Sequence, residues 1–302
     1  MAIKYTRLGG LIYATMGLYL LAFLVSVLAR AMKSPRTTSE PPGDRGVDPP
    51  PDVPPGSSTV GRAGRINPVA VFAHVLYAAG FVLAVVTYID RAIEVNNVPL
   101  QNLFEAFLAM MVLIWPISMI CRRFFAVRGE MWDMLIGAGL CVMPGFIRDA
   151  DISPARPALQ TALFVPHVLA YMIATVLMIK ATIQAIGVLV YGDTSPGANL
   201  ASRETATYRM VCISFPPLTA GLILGCIWAK YAWSDFWSWD PKEQWSLSTW
   251  MTFVAYFHMR YMFGRKHPKL NAAVAITCMV VILLTLFWAN LSAAFKGIHS
   301  YA

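Results

Sequence analysis

Tryptophan residues are concentrated in one short stretch of this sequence, between positions 228 and 245. That stretch holds five of the nine tryptophans of the chain: Trp228, Trp233, Trp237, Trp239 and Trp245. Indole rings are flat and largely apolar, and each carries one polar N–H. A row of tryptophans at a membrane boundary is the alternative, but such belts place one or two aromatic residues at each helix end. The clustering of Trp233, Trp237 and Trp239 therefore favours a platform for a large planar ligand.

A helix start follows the tryptophans directly. Asp240 has the position of an N-cap, Pro241 that of the first helical residue, and Glu243 that of the acidic partner in a capping box. This pattern accounts for Asp240 on structural grounds, and a contact with a ligand is the other interpretation. The sequence thus predicts that the platform is a loop that ends where a helix begins.

Histidine is rare, and four of its five copies fall at informative depths, two toward each side of the membrane. His74 and His258 each fall about six or seven residues from the basic ends of their apolar segments. His258 lies roughly 26 Å from the start of its helix at 1.5 Å per residue. His167 lies about seven residues inside the opposite boundary, and His299 follows the last apolar segment. The fifth, His267, is in a basic loop where we expect it to be solvated.

Two facing imidazoles are the usual way to hold a haem iron from both sides, and imidazole suits iron. Ionisable residues inside a membrane are costly and generally have a partner or a ligand. A hydrogen bond to a neighbouring helix is the alternative for any one of them. Two depth-matched pairs beside a tryptophan loop favour haem ligation, with His74 and His258 as one pair and His167 and His299 as the other.

A few other residues could support such a site. Asn102 and Glu105 share the start of a predicted helix, where they could cap it or could orient an outer histidine or a ligand. Lys230, Lys242 and Arg156 lie on the outer side and could pair with haem propionates, although snorkelling is the commoner role of such side chains. No side chain has the setting of a conventional general base.

The elements that position these residues are apolar segments. The chain is 57% hydrophobic and 13% charged, against about 25% charged in a soluble domain. Eight segments approach the ~20 residues that span hydrocarbon: 10–31, 68–89, 103–121, 131–147, 160–190, 209–229, 241–264 and 271–292. We therefore predict an all-α integral membrane protein, a bundle of about eight transmembrane helices with an external tryptophan-rich loop.

The segment between the first two helices has a different composition. Residues 33–67 are rich in proline, glycine and serine and lack the apolar content of a core, so we expect a disordered linker. This divides the chain into an N-terminal anchor (1–32), the linker (33–67) and the main membrane domain (68–302).

Lysine and arginine indicate the orientation. They collect in the 31–67 linker and in the loops near residues 122–128, 203–209 and 265–269. Such loops are normally cytoplasmic, which places the tryptophan loop and both termini on the external side. The net charge of +8 follows from this topology, and we expect no nucleic-acid partner. The five cysteines lie in or beside apolar segments without a C-x-x-C pair, as expected of buried, inert thiols.

Four stretches of the sequence resemble one family. Residues 228–250, WAKYAWSDFWSWDPKEQWSLSTW, resemble the tryptophan-rich "WWD" signature of haem-handling proteins. Within that superfamily they look most like CcsA (ResC), the cytochrome c synthase subunit of the system II pathway. Pro99–Glu105 is similar to the family's P-L-S-N-L-Y-E, and Pro157–Val168 to its P-A-L-Q-S-x-W-L-x-x-H-V. Lys296–Tyr301 resembles its closing G-x-H-S-Y. The resemblance covers about residues 68–302.

The resemblance implies roles for the histidines. His167 and His299 would be the two external haem ligands and His258 a transmembrane ligand. His74 as the second transmembrane ligand rests on depth and on no motif. One departure is the family's Trp-Gly-Ser-Tyr-Trp, which here reads Trp-Ser-Asp-Phe-Trp at 233–237.

The same resemblance implies a function in the bacterial cytoplasmic membrane. The chain would bind haem b, present it externally and, with a CcsB/ResB-like partner, act as a cytochrome c synthase subunit. That enzyme joins haem to Cys-x-x-Cys-His motifs of apocytochrome c. Two alternatives stay open: a CcmC-type exporter that passes haem to a chaperone, and a cytochrome b-like anchor for electron transfer. A transporter or quinone-binding subunit would carry no haem.

Overall fold

A computed structural model describes residues 7–32, 67–147, 157–195 and 200–288 of the chain. Within these ranges the chain forms eight α-helices and no strand. Their bounds are α1 Arg7–Ala31, α2 Pro68–Val95, α3 Leu103–Phe125, α4 Glu130–Leu140, α5 Phe164–Tyr191, α6 Arg203–Trp233, α7 Pro241–Phe263 and α8 Pro268–Leu283. Short π-helical turns follow α4 (Met143–Ile147) and α8 (Leu284–Trp288). The prediction of an all-α bundle with a helix in each of the eight segments is confirmed.

Side-chain caps define where several helices begin. Asn67 accepts a hydrogen bond from the backbone N–H of Val69 at the start of α2, and Asn102 does the same for Glu105 in α3. Asp240 and Glu243 form the predicted capping box at the start of α7, with Pro241 at its first position. These caps satisfy N–H groups that have no partner within the helix.

Successive helices run in opposite directions, so the bundle has two ends. We call the end that holds residues 96–102, 157–163 and 234–240 the tryptophan end. The basic end holds residues 126–129, 192–195, 200–202 and 264–267. α3 is the most enclosed helix and packs on α2, α4 and α5. On its far side α5 packs against α6 and α8, and α7 packs mainly on α8.

The first helix is joined to the bundle by a tyrosine between two glycines. The buried ring of Tyr19 lies against Gly80 of α2 and Gly137 of α4, where an added Cβ would come within 2.7 and 2.9 Å of ring atoms. The Tyr19 hydroxyl donates to the carbonyl of Met111 in α3. The proposed anchor is therefore packed into the membrane domain through close helix approach.

Six of the eight helices are long and apolar enough to cross a membrane: α1, α2, α3, α5, α6 and α8 with its π turn. α4 has only 11 residues, and α7 has 23 but carries many polar side chains. Large apolar residues such as Leu24, Val75 and Ile223 are exposed on the bundle, as expected of a lipid-facing surface. The chain is thus a multi-pass membrane protein, and membrane crossing by α4 and α7 stays a prediction. Residues 33–66 of the predicted linker lie outside the described residues.

Ion pairs are buried within this apolar bundle. Lys180 of α5 contacts Asp133 of α4 at 2.5 Å, and the hydroxyl of Ser118 in α3 donates to the same carboxylate oxygen. All three side chains are at most 2% exposed. A charge in such a setting requires a close partner. The pair therefore fixes α3, α4 and α5 relative to one another.

Candidate functional site

The tryptophan loop, residues 234–240, is folded around the carboxylate of Glu243. Glu243 Oε2 accepts hydrogen bonds from the backbone N–H of Ser238 (2.8 Å) and of Asp240 (3.2 Å), and Oε1 accepts one from the Ser238 hydroxyl (3.2 Å). The side chains of Asp240 and Glu243 are at most 9% exposed. The sequence predicted Asp240 and Glu243 as a capping box. The structure shows that Glu243 also holds the loop itself.

Trp239 has the most unusual backbone in the loop. Its φ is +59°, a left-handed conformation that bulky residues rarely adopt. The bonds from Ser238 and Asp240 to Glu243 hold it from both sides, and Gln244 donates to its carbonyl at 2.5 Å. Such strain persists only where the surroundings impose it, and it clusters at functional sites. Trp239 is 64% exposed.

A cavity of about 200 Å³ lies beneath the loop. Its walls come from the residues before α3 and from α3, α5, α6, α7 and α8. Most of the lining is apolar or aromatic, and it includes Leu100, Leu103, Phe164, Met172, Leu222, Phe236 and Trp237. On α5 the lining runs from Phe164 to Thr175, which is about 16 Å along the helix axis. The cavity therefore extends from the tryptophan end well into the bundle.

His167 lines this cavity on α5 and is held in one orientation. Its Nδ1 lies 2.7 Å from the carbonyl oxygen of Gly221 in α6. A carbonyl only accepts, so Nδ1 carries the proton and a neutral ring has its lone pair on Nε2. The ring also stacks on Trp228, with centroids 5.9 Å apart and planes 10° from parallel. It passes so close to Gly225 that a Cβ there would lie 2.6 Å from Cε1.

The three tryptophans of the predicted platform and the neighbouring Trp228 take different positions. Trp228 is 2% exposed and lines the cavity beside His167. Trp233 packs edge-on against Trp228, with ring centroids 5.6 Å apart. Trp237 lines the cavity, and its buried indole N–H has no hydrogen-bond partner among the described residues. Trp239 packs edge-on against Trp237 from outside the cavity. The platform is thus a layered set of rings and not one flat surface.

Glu105 is close to the cavity but does not line it. Its carboxylate pairs with the fully buried Arg91 of α2 at 3.0 Å and accepts the backbone N–H of Gln101 at 2.8 Å. Asn102 caps α3 and lines the cavity. Sequence reasoning missed Arg91, although a lone arginine late in an apolar helix, fourteen residues before a glutamate, was a usable signal.

Several hydroxyl groups of the cavity wall were not predicted from the sequence. Hydroxyls of Tyr171, Thr175, Ser246, Thr249 and Thr285 are found along its length. Thr249 and Thr285 join α7 to the π turn after α8 at 2.9 Å. Lys242 lines the cavity beside Glu243, whereas Lys230 donates to the carbonyl of Ser234 in the loop. Hydroxyl residues are common in membrane helices, so the sequence did not distinguish these.

His74 and His258 are both near the basic end, but the structure does not bring them together. α2 packs mainly on α1 and α3, and α7 packs mainly on α8 and α6, so α2 and α7 have no extensive packing interface with each other. His74 is half-buried, and His258 is exposed with Nδ1 2.8 Å from the Val254 carbonyl of its own helix. A gap between two facing rings of His74 and His258 stays a prediction. Matched depth along separate helices says nothing about their positions around the bundle.

Two predicted residues, His299 and Arg156, lie outside the described residues. The last described turn, Leu284–Trp288, contributes Thr285 and Leu286 to the cavity wall. Among the described residues, no group of three or more His, Cys, Asp or Glu side chains could hold a free metal ion. The site therefore has the composition of a slot for an aromatic ligand with one oriented imidazole.

Comparison with known proteins shows what the chain is similar to. Residues 74–297 match the cytochrome C assembly protein family. A Chlamydomonas reinhardtii protein named cytochrome c biogenesis protein CcsA is 29% identical over 235 residues, 72% of this chain and 65% of the algal one. A Synechococcus protein of the same name is 26% identical over 285 residues, 81% and 88% of the two chains. A Crocosphaera subtropica protein of that name is 43% identical over 104 residues, 34% and 30% of the two.

Proposed function

Because the chain belongs to the cytochrome c assembly protein family, we propose that it binds haem at its tryptophan end and presents it for covalent attachment to apocytochrome c. The resemblance to CcsA-type proteins is confirmed by the match over residues 74–297 and by the relatives that bear that name. The relatives' names support a role in cytochrome c biogenesis. Haem b as the substrate and the attachment step are our proposal.

The observation that carries the proposal is the setting of His167. Its ring lies on the wall of an aromatic cavity and is held by Gly221 and Trp228, with the proton on Nδ1, so Nε2 is the nitrogen that would bind a metal. Ligating histidines generally donate their other ring N–H to a carbonyl or carboxylate, which fixes the ring and its basicity. Iron bound by His167 would lie beneath the tryptophan loop.

The residues of the cavity fit a haem. An iron porphyrin is a flat apolar plate that needs aromatic walls, axial nitrogen ligands and polar contacts at its carboxylate edge. Trp228 and Trp237 supply walls, His167 one axial ligand, and Lys242 a cation on the wall. We propose His299 as the second axial ligand from the segment after Leu286. Trp233, Trp239 and Asp240 would shape the loop that covers the substrate.

The proposed reaction forms two thioether bonds. In each, a cysteine S–H of the apocytochrome adds across a vinyl group of haem. The sulfur bonds to the inner vinyl carbon, and the thiol hydrogen ends on the outer carbon, so no net oxidant or reductant is consumed. The protein contributes proximity and orientation and axial ligands that favour one redox state of the iron. No general base is assigned.

We also propose where haem comes from and which partner assists. His74 and His258 are candidate contacts for haem entering at the basic end. The helices that carry these two histidines pack mainly on other helices. A CcsB/ResB-like membrane protein is the proposed partner, and the lipid bilayer of the bacterial cytoplasmic membrane the location, with the tryptophan end outside. The basic residues at the opposite end support this orientation.

The proposal is tested by the absorbance spectrum of the purified full-length protein, oxidised and reduced. We expect haem to co-purify, and we expect His167→Ala and His299→Ala each to shift the spectrum or lower the haem content. His267→Ala, in the α7–α8 loop, is the matched control and should leave the spectrum unchanged. Co-expressed apocytochrome should acquire covalent haem with the wild-type chain and lose it with either outer variant.

Other outcomes point to the alternatives. A spectrum that ignores both outer histidines but collapses with His258→Ala or His74→Ala would favour a membrane anchor for electron transfer. Haem bound at His167 without any covalent cytochrome, even with the partner present, would favour export to a chaperone. A protein without haem under every condition would contradict the proposal outright.

A further inference from the structure

We infer that Arg91 and Glu105 form a positioning pair that sets the orientation of His167. Neither residue lines the cavity, so neither is expected to touch the ligand. The inference rests on the proposed haem site. It assigns to one residue of α2 and one at the start of α3 the role of holding that site in place. It develops the expectation from the sequence that Glu105 could orient an outer histidine.

The pair is a buried, multiply bonded contact between α2 and α3. Arg91 is fully buried and Glu105 is 2% exposed. Arg91 donates from Nε (3.1 Å) and Nη2 (3.0 Å) to the same Glu105 oxygen, Oε1. Its Nη1 donates to Glu94 at 2.8 Å, and the guanidinium carbon lies 5.3 Å from the centre of the Phe104 ring. These contacts leave the Arg91 guanidinium little freedom to move.

The second oxygen of Glu105 transmits this position to the cavity wall. Oε2 accepts the backbone N–H of Gln101 at 2.8 Å, while the backbone N–H of Glu105 donates to Asn102 Oδ1 at 2.9 Å. One carboxylate thus holds the end of the loop that precedes α3. Leu100, Gln101, Asn102 and Leu103 all line the cavity. The loop cannot shift without breaking a bond to a buried charge.

An apolar cluster continues the connection to the imidazole. Leu100 is 5% exposed and shares a buried cluster with Phe164 and Trp228. Phe164 and Trp228 have ring centroids 5.9 Å apart, and Trp228 stacks on His167 at the same separation. Packed side chains transmit displacement because protein interiors have few voids. The path therefore runs from the ion pair through the loop and Trp228 to His167.

Stability alone does not explain this pair. Replacing a buried ion pair by apolar side chains of similar volume is often neutral or stabilising, and inside a membrane charges are costly. Asn102 already caps α3. The pair does supply fixed geometry, and an axial ligand is sensitive to the groups that orient it, with losses of about 10–100-fold in metal affinity when they are changed.

The test compares two buried ion pairs of the same protein. Arg91→Met and Glu105→Gln break the proposed positioning pair, and Glu105→Gln keeps an acceptor for the Gln101 N–H. Lys180→Met is the matched control, because Lys180–Asp133 is equally buried but lines no part of the cavity. Full-length variants in lipid nanodiscs are titrated with haem. The dissociation constant, the reduced-haem spectrum and the iron reduction potential are measured, together with the thermal unfolding temperature.

We expect Arg91→Met and Glu105→Gln to weaken haem binding about 10–100-fold and to shift the spectrum or the potential. Lys180→Met should lower the unfolding temperature about as much as Arg91→Met does. It should keep the wild-type haem spectrum and iron reduction potential. Arg91→Lys keeps the charge but not the forked geometry of the guanidinium. Its dissociation constant for haem should therefore lie between those of wild type and Arg91→Met.

The inference is overturned if Arg91→Met and Lys180→Met change haem binding and spectrum alike, since the pair then acts only on stability. It is also overturned if His167→Ala alters the spectrum and both Arg91→Met and Glu105→Gln leave it unchanged; the proposed function survives that result. Absence of haem binding by the wild-type chain overturns both.

Discussion

The orientation of His167 depends on small details of its neighbours. The Gly221 carbonyl fixes the protonated nitrogen, Trp228 fixes the ring plane, and Gly225 leaves room for the ring edge against α6. Of these three, only the tryptophan was conspicuous in the sequence. The Gly221 carbonyl and the missing Cβ of Gly225 come close to His167 only because α5 and α6 pack together.

Gly225→Ala is predicted to displace the imidazole without destabilising the helix. A Cβ at this position would lie 2.6 Å from His167 Cε1, so the ring must move. Alanine favours a helix interior over glycine by about 1 kcal/mol, so the unfolding temperature should hold or rise. We therefore expect a shifted or lost haem spectrum in a well-folded protein, measured by absorbance and thermal unfolding.

Gly139→Ala is the control, because a Cβ at that α4 position meets nothing within 4 Å. It should match wild type in both measurements. A Gly225→Ala protein with the wild-type haem spectrum would show that the ring position does not matter for binding.

At the scale of elements, α1 lies outside the residues that match the family, yet it packs on α2 and α4. Tyr19 accounts for this: its ring fills the space left by Gly80 and Gly137, and its hydroxyl reaches a carbonyl of α3. The sequence predicted a separate anchor because an apolar helix followed by a proline-rich segment carries no sign of its packing partners.

Tyr19→Ala is predicted to lower the stability of the bundle and to leave the haem spectrum unchanged. Loss of a fully buried aromatic ring typically lowers the free energy of unfolding by about 3–5 kcal/mol, and Tyr19 does not line the cavity. Denaturant unfolding in detergent gives the first quantity and absorbance the second. Leu21→Ala, on the exposed side of α1, should have little effect. Equal stability of the two variants would contradict a packing role for Tyr19.

The whole molecule is polarised between its two ends. The cavity, the tryptophan loop and the Arg91–Glu105 pair are at the tryptophan end, whereas basic side chains such as Arg122, Arg209 and Lys266 are at the other. Positive charge favours the cytoplasmic side of a membrane. This arrangement would leave the cavity open to external apocytochrome.

Cysteine labelling tests this orientation. Asp235→Cys and Lys266→Cys place thiols on exposed loops at the tryptophan end and the basic end. In intact cells a membrane-impermeant maleimide should label Asp235→Cys and not Lys266→Cys, and both should react after the membrane is opened. The wild-type chain, whose five cysteines are buried or half-buried, gives the background. The reverse labelling pattern would place the cavity on the cytoplasmic side.

The sequence by itself determined the class of the protein, its eight helices, the cap at Asp240 and the candidate histidines. Composition, apolar length and local spacing are properties of neighbouring residues, and these suffice for such predictions. Only the tertiary structure decided that Glu105 pairs with Arg91, that Glu243 holds the tryptophan loop and that the helices of His74 and His258 have their main packing partners elsewhere. Spacing along a helix gives depth in the membrane, whereas the position of each helix around the bundle depends on long-range packing.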